Sequence, residues 1–68
     1  MRYYALSVDL LKEHGLGDEP WRQRKGGMAL THEGEATERM GYAGAAEFEA
    51  ATGAKAMTLR EATEWIRG

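Results

Sequence analysis

Tyr4, Leu6, Val8 and Leu10 alternate with Ala5, Ser7 and Asp9, the period-two pattern of a half-buried strand. Ser7 is also a good helix N-cap. Leu10, Leu11 and His14 follow it at helical spacing, and Gly15 stands where a helix would end. A short strand over Arg2–Leu6 followed by a helical turn or two over Val8–His14 reconciles the two patterns. Gly15–Glu19, with two glycines and two acids, reads as a loop.

Trp21–Thr31 reads as a β-hairpin closed by Gly26-Gly27, because two central glycines supply the positive φ angles of a type I′ turn. That register pairs Lys25 with Met28, Gln23 with Leu30, and Trp21 with His32. Trp21, Met28 and Leu30 then share one face, which is expected to pack on the core. Arg22 and Arg24 share the other face with Ala29 and Thr31 and are expected outside.

His32–Met40 is expected to be helical, with Thr31 as N-cap and Glu33 and Glu35 in the first turn, where the helix dipole favours acids. Gly34 weakens it by roughly 1 kcal/mol relative to alanine, and Gly41 is a stop signal. Ala43–Thr52 is a second helix ended by Gly53, with Phe48 its one large apolar residue. Ala54–Met57 reads as a short strand. Thr58-Leu59-Arg60-Glu61 matches a capping box and opens a last helix carrying Leu59, Ala62, Trp65 and Ile66. Trp65, Ile66, Leu59, Phe48 and Trp21 are expected to join sheet and helices in one core. The fold class that follows is α+β: a small antiparallel sheet, made of the 21–31 hairpin and the N-terminal strand, with two or three short helices on one face.

Length restricts this picture to one small domain spanning residues 1–68. Such a chain buries only about 60% of the surface its unfolded form exposes. There is no cysteine, so disulfides and thiolate metal sites are excluded. The expected staple is association, with another protein or with a second copy as a homodimer. No apolar run approaches the ~20 residues that span a bilayer, so no membrane partner is expected and the expected compartment is the cytoplasm.

Charge is unevenly spread. The formal net charge is -2, yet Arg22, Arg24 and Lys25 cluster beside Gln23 and Trp21, while Thr31–Ala50 holds five glutamates against Arg39 alone. A basic knob beside an acidic band suggests a surface that meets a partner. Arg22, Gln23, Arg24 and Lys25 are the candidate partner-binding residues. The same cluster is the feature that a nucleic-acid-binding accessory would use at its hairpin tip, residues 22–27. The sequence pI of about 5.6 argues against that alternative, as does the register that sends Trp21 away from the arginines.

Chemistry has little to stand on. His32, Glu33 and Glu35 superficially resemble a metal cluster, but their spacing does not let all three face one ion. Ser7 lies outside any nucleophile elbow. Gly15-Leu16-Gly17 and Gly26-Gly27 lack the full spacing of a dinucleotide fingerprint. No catalytic residue, cofactor or metal is therefore assigned. The expected function is non-enzymatic binding to another protein, as a small inhibitor, adaptor or structural accessory of the sort a phage, plasmid or multi-protein complex encodes.

Overall fold

The strand and the helix expected at the N-terminus both form, end to end. In the computed structural model, which describes residues 1–68, strand β1 spans Tyr3–Ser7 and helix α1 spans Val8–Glu13. Ser7 ends one and caps the other. Its hydroxyl accepts a hydrogen bond from the Asp9 N–H at 3.2 Å, satisfying a donor the first helical turn leaves unpaired. α1 closes with Leu16 N–H donating to the Leu11 carbonyl and Gly15 N–H to the Lys12 carbonyl, the paired bonds of a Schellman end.

Strands β2 (Arg24–Lys25) and β3 (Met28–His32) form the hairpin. Gly26 and Gly27 have φ of 56° and 79°, the two positive values the turn requires. Lys25 pairs with Met28 as expected. The ladder is shorter than expected, and Trp21 does not pair with His32. Beyond the bond from Leu30 N–H to the Gln23 carbonyl, the chain leaves the sheet. A turn with Pro20 at its second position is closed by Arg22 N–H donating to the Glu19 carbonyl at 3.1 Å.

β1 pairs antiparallel with β3, so the sheet order is β1-β3-β2. The register places Tyr4 opposite Thr31 and Leu6 opposite Ala29. Tyr4 and Leu6 are buried, so Thr31 and Ala29 are buried with them. This reverses the expected facing of the hairpin. Met28 and Trp21 lie exposed, and Arg22, expected outside, is 5% exposed. Counting apolar residues along the hairpin selects the wrong face. The alternation of β1 decides it, because a strand's partner must share its inward parity.

Helices α2 (Glu33–Glu38) and α3 (Ala45–Thr52) join α1 on the inward face. The N-cap of α2 is His32 rather than Thr31, whose buried hydroxyl donates to the Glu35 carboxylate instead of capping the helix. The core comprises Tyr4, Leu6, Leu11, Leu16, Ala29, Ala36 and Phe48. Phe48 meets Tyr4 and Tyr42 edge-on, at centroid distances of 4.8 and 5.2 Å, the geometry favoured by aromatic quadrupoles. The small Ala29 and Ala36 let α2 approach the sheet.

Ala54–Met57 contributes a single bridge, Met57 to Tyr3, rather than a strand. Helix α4 (Leu59–Arg67) then begins with the expected capping box of Thr58 and Glu61. It lies on the other face of the sheet. Lys25, whose side chain points that way, reaches the Trp65 carbonyl at 3.1 Å. Ala62 is buried there, but Leu59 and Ile66 are 63% and 41% exposed and Trp65 is half-buried. Of the five residues expected to unite sheet and helices, only Phe48 belongs to the core. The molecule exposes 4308 Å², close to the roughly 4,250 Å² of a compact monomer of its mass. No helix is long and apolar enough to cross a membrane.

Candidate functional site

A charge-paired cluster lies under the turn at Pro20. The Arg22 guanidinium donates to both carboxylate oxygens of Glu35, at 2.8 and 2.6 Å, and to the Leu30 carbonyl at 2.9 Å. Its Nε donates to Glu19 at 3.3 Å. Thr31 donates its hydroxyl to Glu35 at 2.7 Å. β3 supplies Thr31 and Leu30, α2 supplies Glu35, and the turn supplies Arg22 and Glu19. Both the Arg22 and Glu35 side chains are almost wholly buried. Charges enter an interior only when paired and hydrogen-bonded, and here both conditions are met.

The electrostatics follow from that geometry. Glu35 is pushed upward by burial, but the hydrogen bonds from Arg22 and Thr31 and the Arg22 charge outweigh it, and its pKa is lowered. Glu19 is pulled down to about 2, first by its hydrogen bond from Arg22. Arg22 is raised, chiefly by its hydrogen bonds to Glu35. The cluster is ionised throughout and has no proton to exchange near neutrality.

Trp21 sits over this cluster. The Arg22 guanidinium carbon lies 4.7 Å from the ring centroid, a cation–π stack, and the indole residue is still 60% exposed. Two clefts open beside it. The larger, about 260 Å³, is lined by Trp21, His32, Gly34, Glu35, Glu38 and Arg39. The smaller, about 130 Å³, is more apolar and includes Tyr3, Leu30 and Gln23. Both share Trp21, His32 and Glu35. Gly34 has a spatial reason here, since a Cβ would lie 3.0 Å from the His32 ring. His32 keeps Nδ1 buried without a hydrogen-bond partner, and its Nε2 is 3.9 Å from Glu35. Glu33 turns away, accepting from the Arg2 N–H.

The four candidate contact residues separate. Arg22 is interior, with its donors engaged, and its expected place on an outer patch is corrected. Gln23, Arg24 and Lys25 are exposed near the hairpin tip. Arg24 donates to the Gly17 carbonyl, and Lys25 sits 5.8 Å from the Trp65 ring centroid. Their links to carbonyls leave their positive charges uncompensated. Sequence reasoning missed Trp21, His32, Glu38 and Arg39 as a group. The available signal was Pro20, which ends the ladder and turns Trp21 outward.

Comparison with family models, with curated proteins and with solved structures finds no match for this chain.

Proposed function

We propose that this chain is a non-enzymatic protein-binding accessory that meets its partner at the Trp21 clefts. The carrying observation is the 60% exposed indole of Trp21, held over buried Arg22 and beside two open clefts. Large aromatics that are positioned before contact lose little entropy on binding and are over-represented among residues that dominate interface energies. Glu35, the buried carboxylate of the site, is committed to Arg22 and Thr31, which favours binding over proton-transfer chemistry.

The test is affinity purification of the tagged chain from its native host, with and without nuclease, using the parent, Trp21→Ala and an Arg24→Ser/Lys25→Ser double variant. The reading expects a protein that survives nuclease and is lost with Trp21→Ala. A nuclease-sensitive capture lost with the double variant would support the second reading, a nucleic-acid accessory using Gln23, Arg24 and Lys25. The uncompensated charges at the tip favour that alternative, and its binding would weaken log-linearly with salt. Self-association is a further form of protein binding, for which Leu59 and Ile66 offer exposed apolar side chains on one flank of α4. It would appear as a concentration-dependent melting temperature.

A further inference from the structure

We infer that the partner segment recognised at Trp21 is basic: an arginine or lysine next to an apolar residue in a peptide of another protein. This inference rests on the protein-binding reading above and specifies the chemistry of the occupant. The argument is one of charge complementarity. Around the larger cleft, Glu19, Glu35 and Glu38 face Arg22 and Arg39. Arg22 is bonded to Glu19 and Glu35, and Arg39 lies 3.7 and 4.0 Å from those same two carboxylates. Two cations thus answer two acids. The carboxylate of Glu38, exposed on the cleft wall, has no ion pair and no hydrogen-bond partner. With the His32 imidazole neutral, one negative charge is left over around the cleft.

The aromatic wall has the same preference. The face of an indole attracts cations, and Trp21 stays 60% exposed with buried Arg22 stacked 4.7 Å from its ring centroid. A guanidinium or ammonium entering from solvent meets the exposed indole and the free Glu38 carboxylate together. Lysine and arginine also carry apolar stems that can lie along such a ring while the charged head stays near water. The adjoining smaller cleft, with Leu30 and Tyr3 in its lining, accommodates an apolar neighbour of the basic residue. An acidic segment would instead confront the unpaired Glu38.

The test uses the intact chain and three fluorescent probes: a blocked peptide alternating arginine and leucine, its glutamate-for-arginine counterpart, and a single-stranded oligonucleotide. Binding is read by anisotropy at low and moderate salt. The arginine peptide is expected to bind. Glu38→Gln should weaken it about two- to fivefold and Trp21→Ala at least as much, whereas Glu64→Gln, on remote α4, should leave it unchanged. Glu38 is exposed, so its variant tests the inference even where Trp21→Ala perturbs the fold. Equal loss with Glu64→Gln would mean diffuse attraction to an acidic protein and would overturn the site. No binding of the arginine peptide, binding insensitive to Glu38→Gln, or preference for the glutamate peptide or the oligonucleotide would overturn it as well. If the native partner is lost with Trp21→Ala yet the arginine peptide fails, only the basic-segment inference falls. If the native partner is retained, the binding reading falls first.

Discussion

Arg22 and Glu35, thirteen positions apart in the chain, form a buried two-bond ion pair at 2.8 and 2.6 Å. This contact ties the Pro20 turn to α2 and sets the height at which Trp21 projects. It couples the stability of the domain to the shape of its candidate site, because the side chain that balances a buried charge also supports the exposed ring.

Removing one member of the pair should be far worse than removing both. Arg22→Met leaves the Glu35 carboxylate buried without its main partner and should cost about 3–5 kcal/mol. Combining it with Glu35→Leu removes the stranded charge and should recover part of that loss. Urea melts of the parent, Arg22→Met, Glu35→Leu and the double variant form a double-mutant cycle. Additive losses would mean that the pair is not coupled in the folded state.

Phe48 is fully buried between Tyr4 and Tyr42. Phe48→Ala should cost about 3–5 kcal/mol, enough to unfold a domain of this size. Leu59→Ser, at a residue 63% exposed, should stay within about 0.5 kcal/mol. Thermal melts followed by circular dichroism separate the two. A large loss at Leu59 would reveal packing absent from the monomer.

Stability should be flat near neutrality and fall at both extremes. Glu19 is lowered from 4.5 to about 2 by Arg22, and Glu35 is lowered as well. A depressed carboxylate stabilises the fold above its unfolded pKa, so this contribution is lost as pH falls from about 4.5 toward 2. Tyr4 moves the other way. Burial, then its hydrogen bond to Glu49, raises it from 10 to about 12. The unfolded chain ionises first, so stability should decline as pH rises from about 10 to 12. Denaturant midpoints across pH would check both limbs. An acid limb unchanged in an Arg22→Met/Glu35→Leu background would remove the cluster as its source.

Thr58→Ala should loosen α4 by about 1 kcal/mol, since it deletes the hydroxyl that accepts from the Glu61 N–H at 3.1 Å. α4 covers the sheet face opposite the main core, so it is the element best placed to open locally. In a Trp21→Phe background, Trp65 reports on α4 alone. Its fluorescence transition should precede the loss of far-ultraviolet circular dichroism in the Thr58 variant. Coincident transitions would mean that α4 unfolds only with the whole domain.

Local chemistry was legible along the chain. Ser7 as a cap, Gly26-Gly27 as a type I′ turn, Gly53 as the end of α3 and the Thr58–Glu61 box each depend on a few adjacent residues and their own backbone bonds. The α+β class followed from them. The facing of the hairpin did not, because its apolar count favoured Trp21, Met28 and Leu30, while its true orientation depends on pairing with Tyr4 and Leu6 more than twenty residues earlier. Arg22 appeared to belong to a basic surface patch for the same reason: its burial is stable only beside Glu35, and short-range pattern carries no information about that neighbour. Sequence alone determined the order of the elements and those ends whose energies are local, while the length of the hairpin, the start of α2 and the lone bridge at Met57 departed from it. Tertiary structure decided which face is inside, where the charges are paired, and that Trp21 is left exposed, because each depends on neighbours far away along the chain.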